Sequence, residues 1–242
     1  MINHLNVIRG VQPSRAATRR AVVDLLIARA AVAVVRLGSG GGGLDTAHAL
    51  AEGGVTAIEV TLTTPGALSL LERLSAIDTL LVGAGSVLTA DAARQAIDAG
   101  ARYIVSPAFD PDVLATAHTY DCPVLPGAYT PTEILNAYSA GADIVKVFPA
   151  DTLGPSYIKS VRAPMPFLEL MPTGGVTPEN VGAWITAGAV AVGLGGALVD
   201  PALVASRDWA QITSRAKLVA ANIALARAAL HASFSSTPVR ST

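Results

Sequence analysis

From residue 32 onward the chain repeats one rhythm, a short apolar run followed by a helix-length amphipathic segment. The short runs at 32–37, 57–62, 80–86, 103–106, 124–126, 144–148, 167–171 and 190–194 predict eight strands. They are largely apolar at both odd and even positions, as expected of parallel strands covered on both faces. The longer segments have recognisable starts. Thr89-Ala90-Asp91, Thr130-Pro131-Thr132-Glu133 and Thr177-Pro178-Glu179-Asn180 each place a hydroxyl at a cap position, and two put proline in the first turn. Ala99-Gly100, Ala140-Gly141 and Ala187-Gly188 have the form of helices that stop on a left-handed glycine. An amphipathic helix is predicted over 14–30, leading into the first strand. Beyond Phe234, residues 232–242 offer little to bury and read as a flexible tail.

Eight strand–helix units predict an α/β fold, a single (β/α)8 barrel of about 200 residues or slightly more. The expected organisation is an N-terminal segment and helix at 1–31, the barrel with C-terminal helices at 32–231, and the tail. An open doubly wound sheet is the alternative, and it would want a Gly-x-Gly-x-x-Gly turn after its first strand. The loop Ser39-Gly40-Gly41-Gly42-Gly43 is glycine-rich but lacks an acidic ribose partner at the right distance. It reads as a mobile connector sooner than as a phosphate cradle.

Strand alternation then predicts which side chains point inward. Ile58, Val60 and Leu62 would face the helices, leaving Glu59, Thr61 and Thr63 to face the axis. Val145 and Val147 would face the helices, with Lys146 and Phe148 inside. Arg36, Ser86 and Thr173 end the first, third and seventh strands on inward positions. Polar inward residues thus gather toward the carboxyl ends of strands, where barrels of this kind carry their sites.

Lys146 changes the picture most. An ammonium group among buried strands is costly unless paired, and desolvation favours the neutral amine that can attack a carbonyl. Glu59 in the same interior supplies the carboxyl that Schiff-base chemistry needs, although the pair could also serve as a structural ion pair. Two glycine pairs, Gly174-Gly175 after the seventh strand and Gly195-Gly196 after the eighth, open main-chain N–H groups to an anion at the recurrent phosphate position of such barrels.

Composition narrows the classes. Hydrophobic residues make up 51% of the 242 and charged residues 14%, with a net charge of -1. There is no nucleic-acid footprint and no polybasic membrane surface. No run of 18 apolar residues predicts a membrane span. Asp24 and Arg29 interrupt the apolar run after Arg19-Arg20, so a twin-arginine export signal is not read. Cys122 is the single cysteine, which excludes an internal disulfide and makes the cytoplasm the default. His4, His48, His118 and His231 are too scattered for a zinc site, so no metal is expected.

Several segments in order resemble the class I 2-keto-3-deoxy-6-phosphogluconate (KDPG)/4-hydroxy-2-oxoglutarate (KHG) aldolase family. They are Ile58-Glu-Val-Thr-Leu62, Val82-Gly-Ala-Gly-Ser-Val-Leu88, Val105-Ser-Pro107, Pro126-Gly127, Val145-Lys-Val-Phe-Pro-Ala150 and Pro172-Thr-Gly-Gly-Val176. The resemblance implies that Lys146 forms the Schiff base and Glu59 is the general acid/base. It implies that Arg36, Ser86, Pro107, Phe148 and Thr173 line the pyruvate end. Gly174, Gly175, Gly195 and Gly196 would hold the phosphate. The implied reaction cleaves a 2-keto-3-deoxy-6-phospho sugar acid to pyruvate and glyceraldehyde 3-phosphate, in a cytoplasmic homotrimer without metal or organic cofactor. Thr63 stands where phosphogluconate enzymes carry arginine, and Ala197-Leu198 where they carry Ser-Trp. The stretch 153–159, together with 174–180, looks closer to the 6-phosphogalactonate branch, which has an arginine at the position of Arg36. Carboxylate recognition would then pass from position 63 to Arg36. Two rivals remain: the same chemistry on an unphosphorylated 4-hydroxy-2-oxo acid, and a phosphate-binding epimerase barrel without lyase activity. A scaffold or binding protein fits poorly, because inward polar residues would then be a cost without a use.

Overall fold

The computed structural model describes residues 18–38 and 41–235, with side chains as far as 232. Residues 14–17 of the expected first helix, Ser39 and Gly40 of the glycine loop, and 236–242 of the expected tail lie outside the described residues. The elements alternate as the pattern requires: α1 (Arg19–Arg29), β1 (Ala31–Val35), α2 (Gly43–Glu52), β2 (Ala57–Thr61), α3 (Ala67–Ser75), β3 (Leu81–Gly85), α4 (Ala90–Asp98), β4 (Ile104–Val105) and α5 (Pro111–Thr119). There follow β5 (Val124–Leu125), β6 (Gly127–Ala128), α6 (Pro131–Ser139), β7 (Val145–Val147), α7 (Pro155–Arg162), β8 (Leu170–Pro172), α8 (Val181–Thr186), β9 (Val192–Leu194), α9 (Pro201–Ser206) and α10 (Trp209–Ser235).

All strand pairs are parallel. A six-stranded sheet runs β5-β4-β3-β2-β1-β9 and a three-stranded one runs β6-β7-β8. The two sheets meet at both ends. Pro126 has no N–H to give, so one strand-like run is split into β5 and β6. Its carbonyl still accepts from the Lys146 N–H at 2.9 Å, and Val124 O from Asp143 N–H at 3.3 Å. At the other end Val190 N–H donates to Leu170 O at 3.0 Å, and Thr173 bridges Gly193. The architecture is an α/β fold built on curled parallel sheets.

Local chemistry explains the boundaries. Thr89 Oγ1 accepts from Ala92 N–H, and Thr130 forms a full capping box with Glu133. Asp110 caps α5 ahead of Pro111. Gly100, Gly141 and Gly188 close their helices at φ 98°, 104° and 104°. Thr177 differs from the expectation: its hydroxyl accepts from Asn180 N–H within a turn, and α8 starts only at Val181. Helix α1 starts at Arg19, where Thr18 Oγ1 accepts from Ala21 N–H. The seventh strand begins at Leu170 rather than 167, since Phe167 sits half exposed against the Tyr138 ring, centroids 4.9 Å apart. Helix α10 continues through 232–235, where the tail was expected to begin. Among the described residues no helix is long and apolar enough to cross a membrane.

The core has two parts. Ile58, Val60, Val145 and Val147 pack with the helices, as alternation predicts. Val32, Ala57, Leu81, Tyr103, Ile144 and Ala191, near the amino ends of the strands, form an interior layer. Val22, Val23 and Leu26 of α1 seat against that layer and stopper the interior at the end remote from the strands' carboxyl termini.

Candidate active site

A cavity of about 440 Å³ opens at the carboxyl end of the strands. Arg36, Glu59, Ser86, Pro107, Lys146, Phe148, Thr173, Gly174, Gly175, Gly195 and Gly196 all line it, joined by Val34, Val176, Thr177, Ala197, Val199 and Pro201. One expected residue is missing. Alternation places Thr63 inward only while the strand continues, but β2 ends at Thr61 and the chain turns. Thr63 is exposed, its hydroxyl 3.0 Å from Thr61 Oγ1, and it is not part of the cavity wall. A larger groove of about 540 Å³ lies between α2 and α10. Its charged residues, Asp45, Glu52 and Lys217, belong to an open surface, so the smaller cavity is the one with chemistry.

At the floor of the cavity Lys146 Nζ lies 3.9 Å from Glu59 Oε1, the two side chains only 7% and 1% exposed. Nζ also stands 5.0 Å from the Phe148 ring centroid, an apolar and cation-compatible wall. Burial pushes the Glu59 carboxyl above its ordinary range, while Lys146 and then Arg36 pull the other way. Burial favours the protonated carboxyl, which can donate a proton, and the two cations favour the ionised form, which can accept one, as a general acid/base must.

Two polar atoms in this wall have no hydrogen-bond partner among the described residues, although both are buried: Glu59 Oε2 and Thr173 Oγ1. Unpaired buried polar atoms are expensive, and a cluster of them marks where a polar ligand completes the site. Backbone shape makes room for them. A Cβ at Gly85 would overlap Glu59 Oε1, and one at Gly193 would overlap Thr173 Oγ1. Ser86 adopts φ 59°, a strained choice for a non-glycine residue that sits beside the cavity. At the rim, Gly174 and Gly175 have φ 100° and 69°, and positions where a Cβ would stand on Gly195 and Gly196 are free of neighbours. That arrangement offers main-chain donors to an anion. Asn180 holds the rim from behind, its Nδ2 donating to Gly175 O at 2.8 Å.

Sequence reasoning missed Tyr103, a phenol fully buried in the interior below Glu59. The available signal was its inward position at the start of the fourth strand, opposite glycine-rich β3. Among the described residues no group of three or more His, Cys, Asp or Glu side chains is gathered as metal ligands.

With this geometry in hand, comparison with known proteins is direct. The chain is 41% identical over 160 residues to a probable 2-dehydro-3-deoxy-6-phosphogalactonate aldolase of Rhizobium meliloti, covering 65% of this chain and 76% of that protein. It is 38% identical over 172 residues to the 2-dehydro-3-deoxy-phosphogluconate aldolase of Pseudomonas aeruginosa, covering 70% and 78%. Among solved structures, a KDPG aldolase from Legionella pneumophila, with pyruvate captured as a covalent carbinolamine intermediate, superposes with TM-score 0.75 at 28% identity, covering 81% of this chain and 97% of that one. The family model for KDPG and KHG aldolase matches residues 23–215. The chain belongs to the KDPG and KHG aldolase family.

Proposed function

We propose that the chain is a class I aldolase that cleaves a 2-keto-3-deoxy-6-phospho sugar acid to pyruvate and glyceraldehyde 3-phosphate. The observation that carries the reading is the buried Lys146 amine 3.9 Å from a buried Glu59 carboxylate in a lined cavity. The free-base amine of Lys146 attacks the C2 carbonyl. Glu59 moves the protons that turn the carbinolamine hydroxyl into leaving water, and an iminium results. Its nitrogen is an electron sink, so the C3–C4 bond breaks once the C4 hydroxyl loses its proton to Glu59 or to a water beside it. Glyceraldehyde 3-phosphate departs, the enamine takes a proton at C3, and hydrolysis frees pyruvate and regenerates the amine. Arg36 clamps the carboxylate and Thr173 Oγ1 gives that end a hydrogen bond. Gly174, Gly175, Gly195 and Gly196 receive the phosphate at the rim.

The parallel strand pairs, the Thr173–Gly193 bridge and the Pro126 carbonyl bond support a ring of strands that closes as an eight-stranded barrel. We take the working form to be a cytoplasmic homotrimer, as the resemblance implies. The half-exposed Tyr138–Phe167 pair and Leu135 are apolar surface that such contacts would cover.

Borohydride reduction in the presence of pyruvate tests the reading. Mass spectrometry should find one reduced pyruvyl adduct, on Lys146, absent in Lys146→Ala. An adduct on Lys159 or Lys217, or none at all, would overturn it. A second reading, cleavage of an unphosphorylated 4-hydroxy-2-oxo acid, is favoured by the rim itself, where Gly195-Gly196-Ala197 offers no side-chain donor. Rates with phosphorylated and unphosphorylated substrates separate the two.

A further inference from the structure

One buried polar group in the interior takes no part in the aldol steps. Tyr103 is fully buried, and its hydroxyl has no hydrogen-bond partner among the described residues. Its ring fills the space that a side chain on Gly83 would need. Gly83 is the β3 residue in register with Glu59, so the phenol ring stands beside the root of the Glu59 side chain. Glu59 turns Oε1 toward Lys146 and leaves Oε2 buried and unpaired. Buried polar atoms left in that state are costly, and internal water shared between such groups is the usual remedy.

We propose that Tyr103 is the positioning residue for Glu59, its hydroxyl supplying, by way of one internal water, the hydrogen bond that Glu59 Oε2 lacks. The inference rests on the aldolase reading above. The bond would fix the carboxyl so that Oε1 stays turned to Lys146 through the cycle of proton transfers. The charged groups that face Glu59 are Lys146 on β7 and Arg36 beyond β1, and those that face Tyr103 are Glu59 above and Arg29 of α1. Arg29 is itself engaged, donating to Thr56 O at 3.0 Å. Burial holds the phenol well above its ordinary range, so it keeps its proton and remains a donor. A hydrogen bond donated to a carboxylate favours the ionised form, so loss of this one should make Glu59 harder to ionise.

Tyr103→Phe keeps the ring over Gly83 and removes only the hydroxyl. It should still fold, with a thermal midpoint close to wild type, and should still form the borohydride adduct on Lys146. With KM for the keto acid unchanged, kcat should fall about tenfold, a fraction of a full general-acid/base contribution. The acid limb of the pH profile of kcat/KM should move upward by about half a pH unit or more. In a Glu59→Gln background the same change should have no further effect. Wild-type kcat with an unmoved acid limb, or an equal loss in both backgrounds, would overturn the proposal and leave Tyr103 as packing. If wild-type protein forms no pyruvate adduct, the aldolase reading fails first and this inference falls with it.

Discussion

The Glu59 carboxylate reaches along β3 from its register partner Gly83 to Gly85, so closely that a methyl group on Gly85 would overlap it. The geometry of the candidate site therefore depends on a side chain that is not there. Gly85 does not have a positive φ, so its backbone accepts alanine and the nearest clash falls on Glu59. Gly85→Ala should lower kcat on the order of 10²-fold, the scale of losing a placed acid/base. The variant should remain folded, with an overpacking cost of about 1–3 kcal/mol. Steady-state kinetics beside thermal melts check it, and wild-type kcat would show that Glu59 does not need this position.

The raised Glu59 carboxyl has a signature in stability. A carboxyl that ionises late in the fold keeps its proton where the unfolded chain has already lost it. Its contribution is therefore fully present below the unfolded value of 4.5 and is lost as pH rises toward the folded value. Denaturant titrations of wild type and Glu59→Gln at a series of pH values isolate this contribution together with its coupling to Lys146 and Arg36. The stability of wild type relative to Glu59→Gln should fall as pH climbs above the unfolded value of 4.5. A constant difference would mean that Glu59 titrates as it does in the unfolded chain.

Arg36 is exposed at the cavity wall, yet it is close enough to act on the Glu59 carboxyl. Arg36→Ala should raise the pyruvate concentration needed for half-maximal borohydride trapping by about 10- to 100-fold, the loss of a charge-assisted hydrogen bond of about 1.5–3 kcal/mol. The reduced adduct should still map to Lys146. Unchanged pyruvate dependence would remove Arg36 from carboxylate binding.

Gly175 has φ 69°, and a Cβ there would press on the Asp151 backbone. Gly175→Ala should distort the rim and raise KM for a phosphorylated substrate by about tenfold or more, through weakened main-chain donors to a charged group. Trapping with pyruvate, which carries no phosphate, should be unaffected. Equal damage to both would assign the loop to general structure.

Cys122 is buried, and burial pushes its thiol up to about 12. The thiolate is the reactive form, so native protein should resist alkylation at pH 8 and react fully once denatured. Fast labelling of the folded protein would contradict this placement.

The candidate site was readable in the sequence because strand alternation is a strict rule over short distances. It put Lys146, Phe148, Glu59, Arg36, Ser86 and Thr173 inside, and all six line one cavity. The same rule failed at Thr63, where counting by twos ran past the end of β2 into a turn. Phe167 opens an apolar run that reads as strand, while its ring partner in the fold, Tyr138, lies on α6. Tyr103 escaped notice for a similar reason. Its significance comes from the missing side chain of Gly83 and the register that sets Glu59 beside it, both properties of neighbouring strands.

The plug made by Val22, Val23 and Leu26 also governs traffic. With one end of the interior corked, the cavity mouth at the carboxyl end of the strands is, among the described residues, the way to Lys146. On the aldolase reading, the aldehyde half of a cleaved sugar acid sits nearer the doorway and exits before the three-carbon keto acid still tethered to the amine. In the synthetic direction the queue reverses, with the keto acid seated before its aldehyde arrives. On that reading the covalent tether sets the order, and a helix outside the cavity lining confines the traffic to one end of the strands.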